Sequence, residues 1–528
     1  DDLPQTRGWS LRMTEIEIKL QVPASARAAL AQEIKARSPD NLRRQRLQAV
    51  YFDTASRLLA SEDMALRLRR EGRNWVQTLK AGKGQDSISR EEDNIRLPDR
   101  SAAEPELDVS RHLRSPAGRR LQVLLQRAQG ESLQRRFATD VRRQSQIQRT
   151  RRGFVELCFD EGMIQSEDRQ LPLRELEIES IKGSPLAVLE AAAGYIKRYQ
   201  LWIDLRSKAQ RGHMVFENRA FASPAKSGAI RLEPSANVDD ALLAVFSDCR
   251  RQVMQNASQI AAEEGHGPEH VHQIRVGLRR LRTAMKLFGQ RVDAIAHWDA
   301  QARSLATELG ASRDRDVLAE SLWPRLRDID APLIELPSPT GLKSPRDLIR
   351  DRQCQLWFLE WLEHDMKLDL DRSNGGSELG LMPAQGVLLQ VLHRWYRKCK
   401  KMSANFSQLT VDERHDLRKR MKRLRYGVEF VRSMLQEKRL EHFLQVMSEA
   451  QDALGEYNDL HVAHALYKSH SAMHPQAWFA VGWLAAQSDY AADRCVKVLQ
   501  AFSKVESPWR KKDLPTLNTS TDTGSPTI

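Results

Sequence analysis

The prediction for the first part of the chain starts from the sequence Glu15-Ile16-Glu17-Ile18-Lys19. Successive side chains of a β-strand point to opposite faces, so Glu15, Glu17 and Lys19 share one face and the two isoleucines share the other. One strand of this kind fits any sheet with a solvated face. Its meaning comes from later stretches that repeat the alternation with complementary charge.

Basic and acidic strands of the same kind occur downstream. Arg67 and Arg69 alternate with leucines, and Glu175, Glu177 and Glu179 alternate with apolar residues. Each charge alone would more often be a solvated surface group. Together, carboxylates are the ligands that Mg²⁺ and Mn²⁺ prefer, and guanidiniums bind phosphate oxygens. A closed sheet that carries both inside therefore predicts a metal–phosphate site.

Eight short alternating runs with intervening helical pieces predict a mostly antiparallel first domain. They are Glu15–Leu20, Ala49–Phe52, Ala65–Arg70, Trp75–Lys80, Glu91–Leu97, Arg142–Arg149, Phe154–Phe159 and Leu173–Ile181. From about residue 236 to 506 this alternation gives way to long helical periods. The sequence therefore predicts a multidomain α+β protein with an all-α second part.

The helical part contains an internal repeat. One copy begins His272-Gln-Ile-Arg275 and the other begins His415-Asp-Leu-Arg418, and each is followed by a Leu-Gly pair, at Leu309 and at Leu454. Because the order and separation are nearly the same, we expect two related helical bundles.

Each copy places a stripe of cations on one helix face, because residues three and four apart are neighbours on a helix. The stripes are His272, Arg275, Arg279, Arg282 and Lys286 in the first copy, and His415, Arg418, Lys422 and Arg425 in the second. Such charges repel unless an anion or solvent intervenes. A solvated basic face is the alternative for one helix, but duplication favours a linear polyanion such as polyphosphate. Nucleic acid is disfavoured, since few aromatic residues for base stacking accompany the stripes.

Composition agrees with a polyanion partner. The 528 residues carry a formal net charge of +13, and 41% of them are hydrophobic, enough for several cores. The five scattered cysteines predict reduced thiols and a cytoplasmic protein. The most apolar run, Ala477 to Ala486, has about half the ~20 residues of a membrane helix, so no membrane partner is expected. Because a P-loop and a dinucleotide fingerprint are missing, a nucleotide hydrolase of the usual α/β kind is disfavoured.

Two resemblances follow from these motifs. The first part resembles the CYTH domain of the triphosphate tunnel metalloenzymes, and the second resembles the CHAD domain through its two repeats. The CYTH-like segments are Glu15–Lys19, Tyr51–Thr54, Leu66–Arg69, Thr78–Lys80, Arg90–Glu92, Phe159–Gly162, Glu175–Glu179 and Ser207–Gly212. The order of domains is similar to that of bacterial CYTH–CHAD proteins, which include inorganic triphosphatases.

The resemblance implies an eight-stranded antiparallel β tunnel with flanking helices and an active site inside it. It implies metal ligands at Glu15, Glu17, Glu177 and Glu179, with Glu175, Asp160 and Glu92 as further candidates, and these four glutamates with Lys19 as the catalytic set. It implies triphosphate contacts at Lys19, Arg67, Arg69, Lys80, Arg90, Arg143 and Lys208. The cofactor would be Mg²⁺ or Mn²⁺.

The resemblance also implies a function and a division of the chain. We expect hydrolysis of inorganic triphosphate to pyrophosphate and phosphate, with polyphosphate bound by the helical domain and the protein associated with polyphosphate granules. Thiamine triphosphate, nucleotide or RNA 5′-triphosphate as substrates, or an inactive polyphosphate-binding protein, stay open. The expected parts are an extension or cloning remnant at 1–12, the CYTH tunnel at 13–213, a linker at 214–228, the CHAD domain at 229–506 and a disordered tail at 507–528.

The second repeat departs from the CHAD pattern at three places. Tyr457-Asn458 stands where the first copy has Arg313-Asp314, Lys422 replaces an arginine, and Glu429 takes the place of Lys286. We therefore expect the second half to bind anions less strongly.

Overall fold

The computed structural model describes residues 14–37, 41–83, 86–98, 103–128, 130–317, 322–332, 334, 341–375 and 377–514. The predicted extension at 1–12 lies outside these ranges, and so does the part of the predicted tail (507–528) that follows residue 514. The chain divides into two compact units. The first comprises residues 1–226, 251–273 and 345–367, and the second comprises 227–250, 274–344 and 368–528. Two helical segments therefore belong to the unit that contains the sheet.

The first unit is built on one antiparallel sheet, which has nine strands within the described residues. They are β1 (Thr14–Gln21), β2 (Arg43–Asp53), β3 (Met64–Glu71), β4 (Asn74–Lys83), β5 (Asp86–Leu97), β6 (Gln134–Arg149), β7 (Gly153–Ser166), β8 (Arg169–Gly183) and β9 (Trp202–Ile203). Their order is β5-β4-β3-β2-β6-β7-β8-β1-β9, and an additional pairing of β1 with β5 closes the sheet. The eight predicted strands are confirmed as the tunnel wall. The ninth, β9, has two residues and pairs with the edge of β1.

One apolar core of the sheet lies on its outer face. Leu66 and Leu79 point outward and pack with Leu59 and Leu121 from two covering helices. Because strand residues alternate, this burial turns the charged residues of the same strands towards the enclosed space. The apolar outer face therefore positions the polar interior.

The helices of the described residues have the following bounds. They are α1 (Arg27–Arg37), α2 (Leu58–Ser61), α3 (Pro116–Arg127), α4 (Leu186–Tyr199), α5 (Lys208–Phe216), α6 (Val238–Ala261), α7 (Pro268–Phe288), α8 (Trp298–Val317), α9 (Trp323–Arg327), α10 (Pro345–Arg350), α11 (Arg352–Ser373), α12 (Glu378–Leu381), α13 (Ala384–Ala404), α14 (Val411–Phe430), α15 (Glu437–His470) and α16 (Ala477–Lys504). Among these helices, none has the length and apolar composition required to cross a membrane.

Helix α5 begins at the tunnel because two reciprocal hydrogen bonds, a capping box, close its first turn. The Ser207 hydroxyl accepts a hydrogen bond from the backbone of Gln210, whose side chain accepts one from the backbone of Ser207. Behind this cap, Ala209 and Val215 pack against an apolar cluster that includes Phe137. The cap and this packing hold Lys208, the first residue of α5, at the tunnel.

The two copies of the helical repeat occupy corresponding elements. The cationic stripes lie on α7 and α14, and the two Leu-Gly motifs lie on the following long helices, α8 and α15. The all-α character predicted for the second part is confirmed, while its description as two related bundles stays a prediction. The chain is also described as far as residue 514, and Trp509 near that point is buried.

Candidate active site

The strands β7, β8 and β1 form an acidic wall of the tunnel. Glu179 on β8 lies directly opposite both Glu17 on β1 and Glu156 on β7. Like charges on facing positions are destabilising unless a cation lies between them. Burial, together with Glu17 and Glu156, raises the pKa of Glu179 to about 7. The wall therefore places three carboxyl groups at adjacent positions, where ionisation of Glu179 is disfavoured.

Two residues before Glu179 on β8, at Glu177, the carboxylates of the wall are paired with cations. Arg143 donates two hydrogen bonds of 2.7 Å to Asp160 and one of 2.5 Å to Glu177. Lys208 lies 2.8 Å from Asp160, 2.9 Å from Glu177 and 2.5 Å from Glu175. Although burial opposes ionisation, Lys208 and Arg143 hold the pKa of Glu177 well below its ordinary value. Glu177 is therefore ionised at neutral pH.

A basic wall faces the acidic one. Arg67 donates to the Tyr51 hydroxyl at 3.1 Å and lies 3.7 Å from Glu92, which also contacts Lys80 at 2.6 Å. Arg69 pairs with Glu71. Both arginines are held by the alternation of β3, whose leucines are buried on the outer face. Their guanidiniums therefore line the enclosed space.

One cavity of about 290 Å³ joins the two walls. The expected site residues that line it are Glu17, Lys19, Arg67, Arg69, Lys80, Glu92, Arg143, Asp160, Glu177, Glu179 and Lys208. Glu175 is completely buried beside the cavity, where Lys208 and Arg211 contact it. The backbones of Glu15 and Arg90 pair with each other, but their side chains lie outside the described part of the chain. Lys19 lies opposite Glu177 and pairs with Glu17.

In the second unit, cations of the two helical stripes approach each other. Burial, Arg418, Arg279 and Arg275 all lower the pKa of Lys422, to about 7. Burial and Arg279 also lower the pKa of Arg418, although Asp459 lies 3.8 Å from it. Arg275 and Arg279 of α7 therefore form one cationic cluster with Arg418 and Lys422 of α14.

The other members of the stripes have different surroundings. Arg282 donates to Asp299 at 2.8 and 3.1 Å, and Arg425 donates to Glu429 at 2.9 Å. His415 lies 2.7 Å from Asn458. Burial, together with Arg423, lowers the pKa of Lys286. The stripe residue His272 lies on the N-terminal half of α7, within the part of that helix that belongs to the first unit.

Comparison with protein families supports both resemblances, the CYTH-like first part and the CHAD-like second part. The CYTH domain model matches residues 13–212, and the CHAD domain model matches residues 244–468. The chain contains a CYTH domain followed by a CHAD domain. Residues 311–317, which include Arg313-Asp314 of the first CHAD repeat, have side chains outside the described part.

Individual relatives share less of the chain. An inorganic triphosphatase of Haemophilus influenzae is 24% identical over 210 residues, which are 39% of this chain and 56% of that relative. The CHAD domain of the plant Ricinus communis has a crystal structure with 27% identity and a TM-score of 0.41, covering 53% of this chain and 97% of that one. A Hippeastrum adenylyl cyclase, described as having a dominant triphosphatase activity, has 21% identity and a TM-score of 0.27, covering 39% and 96%.

The donor set of the CYTH tunnel fits a hard divalent cation. Asp160, Glu175 and Glu177 each offer a carboxylate oxygen, and these atoms lie within 4.8 Å of one another. A second acidic group is formed by Glu17, Glu156 and Glu179 on facing strand positions. Carboxylate oxygens without sulfur or imidazole suit Mg²⁺ and Mn²⁺. The residues present therefore fit the metal implied by the CYTH resemblance.

The sequence missed several residues of the tunnel. Tyr51 and Arg211 lie in segments that resemble CYTH motifs, but no role followed from their spacing. Tyr51 reaches Arg67 because β2 pairs with β3, and Arg211 reaches Glu175 because α5 packs on β8. The alternation of residues places Glu156 on the same strand face as Asp160, but no site role followed from that position.

Proposed function

We propose that the CYTH tunnel hydrolyses inorganic triphosphate to pyrophosphate and phosphate with a divalent metal ion, Mg²⁺ or Mn²⁺. The observation that supports this most is the single cavity lined by an acidic wall and a basic wall. Arginine and lysine bind phosphate oxygens, and ionised carboxylates bind the metal that accompanies them. The name of the Haemophilus influenzae relative, inorganic triphosphatase, agrees with the proposal.

The residues of the chain have distinct parts in this reaction. Arg67, Arg69 and Lys80 would bind and orient the phosphate chain and stabilise the charge that develops on the transferred phosphoryl group. The carboxylates of Glu17, Glu179 and the opposing strands would hold the metal. When bound, the metal would neutralise phosphate oxygens and lower the pKa of the attacking water.

Inorganic triphosphate is favoured over substrates with an organic group. Tyr51 is the aromatic residue among the described lining residues, and its ring already stacks on Phe137 with centroids 4.5 Å apart. Its hydroxyl is engaged by Arg67. A nucleobase or thiamine ring would therefore find no free aromatic face in the described lining, while charged groups surround the cavity.

A substrate panel tests this assignment. Purified protein is given inorganic triphosphate, ATP and thiamine triphosphate at equal metal concentration, and kcat/KM is measured for each. We expect inorganic triphosphate to exceed the others by at least about tenfold, which corresponds to about 1.4 kcal/mol of transition-state binding. A higher kcat/KM for ATP or thiamine triphosphate would show that this compound, and not inorganic triphosphate, is the preferred substrate.

We also propose that the CHAD domain binds inorganic polyphosphate through Arg275, Arg279, Arg418 and Lys422. The support is the closeness of these four cations, since burial together with Arg418, Arg279 and Arg275 depresses the pKa of Lys422. A linear polyanion would supply the negative charge that balances these cations. The protein would then work in the cytoplasm and associate with polyphosphate granules, and the five described cysteines, none of which forms a disulfide, agree with a reducing compartment.

Calorimetry can separate polyphosphate from nucleic acid. Titrations with long-chain polyphosphate and with single-stranded DNA are run at matched phosphate concentration and matched salt. We expect polyphosphate to bind at least about tenfold more tightly, because bases find few stacking partners on these helices. Equal affinity would favour a general polyanion or nucleic-acid site instead.

A further inference from the structure

A chain of ion pairs runs from the tunnel to the segment that joins α6 to α7. Lys208 lies 2.5 Å from Glu175, and Glu175 accepts a hydrogen bond of 3.2 Å from Arg211. The Nε atom of Arg211 lies 3.9 Å from Glu264, which also lies 3.8 Å from Arg206. All five residues belong to the first compact unit, although Glu264 falls within the residues matched by the CHAD model.

The charge of Glu264 serves Arg211 more than Arg206. Arg206 already has its own carboxylate, because it donates to Asp204 at 2.8 and 3.0 Å. Arg211 is only 3% exposed, and its Nε has no hydrogen-bond partner within the described residues. A buried guanidinium is costly unless a carboxylate compensates it. Glu264 is the carboxylate that faces this Nε atom.

The gap between Arg211 and Glu264 is itself polar. A cavity of about 40 Å³ is lined by both residues and by Gln21, Arg174 and Arg206. A space of this size can hold one bridging water, for which about 15 Å³ suffices. Gln21 also donates to Glu175 at 3.3 Å, so this cavity borders the same carboxylate that contacts Lys208.

Glu175 is therefore shared between two cations. Lys208 contacts one of its oxygens and Arg211 the other. If Glu264 loses its charge, Arg211 must draw its compensation from Glu175 alone. The carboxylate would then move towards Arg211, and the ammonium of Lys208 would lose one of the three carboxylates that locate it in the tunnel.

We propose that Glu264 is a positioning residue of the tunnel, which holds Arg211 and thereby fixes Glu175 and Lys208 where the phosphate chain binds. This inference rests on the proposed triphosphatase function. It gives the CHAD-matched part of the chain a role in the tunnel reaction that is separate from polyphosphate binding.

The adjacent Glu263 supplies a matched control. It lies on the same segment and pairs with Arg174 at 3.3 Å, but it is 56% exposed. An exposed ion pair contributes little and does not reach the buried carboxylates. Glu263→Gln should therefore leave KM and kcat unchanged, whereas the same substitution at Glu264 should not.

The test compares wild type, Glu264→Gln, Glu264→Asp and Glu263→Gln in steady-state hydrolysis of inorganic triphosphate. We expect Glu264→Gln to raise KM about three- to thirtyfold while kcat changes less than about twofold. Glu264→Asp keeps the charge on a shorter side chain, so its KM should lie between those of wild type and Glu264→Gln. An unchanged KM in folded Glu264→Gln would overturn the inference. If that variant does not fold, Glu264→Asp decides alone, and a wild-type KM in it would overturn the inference.

Calorimetric binding of inorganic triphosphate in EDTA separates this inference from the proposed function. The tunnel site is identified as the one removed by the double substitution Arg67→Met and Arg69→Met. Absence of turnover in the wild type would count against the triphosphatase proposal only. The inference on Glu264 would then be decided by the dissociation constant of the tunnel site, which should be larger in Glu264→Gln than in wild type and Glu263→Gln; equal values in all three would overturn it.

Discussion

Replacing Lys422 by arginine should remove most of the pH dependence of polyphosphate binding above pH 7.5. In the free protein, burial and the neighbouring Arg418 and Arg279 lower the pKa of Lys422 to about 7. A bound polyanion would return this pKa towards about 10.4, the ordinary value for lysine. Binding therefore takes up a proton between these two values. The contribution of Lys422 is full below pH 7 and is lost as the pH rises above it.

The magnitude follows from the two pKa values. Between pH 7.5 and pH 9 the affinity of the wild type should fall about 20-fold, or about 1.8 kcal/mol. A guanidinium stays charged throughout this range, so Lys422→Arg should lose less than about twofold. Ordinary histidines are mostly neutral above pH 7.5, and long polyphosphate chains have few terminal phosphates that titrate.

Fluorescence anisotropy of end-labelled long-chain polyphosphate, at constant ionic strength, measures this difference. Lys419→Arg is the matched control, because Lys419 lies on the same helix but is exposed. It should behave like wild type. Parallel pH profiles for wild type and Lys422→Arg would refute the reasoning, since they would show that Lys422 does not titrate in this range or does not meet the polyanion.

Two other substitutions test separate parts of the account. Glu17→Ala should abolish triphosphate hydrolysis while the circular dichroism spectrum stays unchanged. The control Glu167→Ala, in the exposed β7–β8 turn, should keep full activity. Wild-type turnover in Glu17→Ala would show that Glu17 is not a metal ligand. Asp248→Ala should lower the free energy of unfolding by about 3–5 kcal/mol in urea, because it removes the carboxylate that lies 2.8 Å from Nη1 of the buried Arg280. A loss below about 1 kcal/mol would show that this pair is not a strong support of the CHAD helices.

The sequence predicted the elements of the tunnel better than the contacts between them. The period of two in Glu15–Lys19 and Glu175–Glu179 identifies strands and their charged face, because alternation is a local property. It cannot show that Glu17 faces Glu179, since that register depends on how distant strands pair when the sheet closes. The short β9 carries no alternation, so its two residues gave no signal.

The limits of the site prediction have the same origin. Lys208 was assigned from its resemblance to a CYTH motif, whereas Arg211 in the same motif acquires a role only when Glu175 and Glu264 are seen around it. Glu264 lies in the turn between α6 and α7, far in sequence from the strands of the tunnel. The cationic stripes were readable from helical spacing, but the approach of Arg279 to Lys422 requires packing of α7 and α14.

Phosphate release from inorganic triphosphate by the purified protein is the decisive assay for the proposed triphosphatase activity. The assay is run with Mg²⁺, with Mn²⁺ and with EDTA. We expect rapid release with at least one metal and none with EDTA, because hydrolysis would need the metal to neutralise phosphate oxygens and to lower the pKa of the attacking water. Release that is unchanged in EDTA, or no release with either metal, would contradict it.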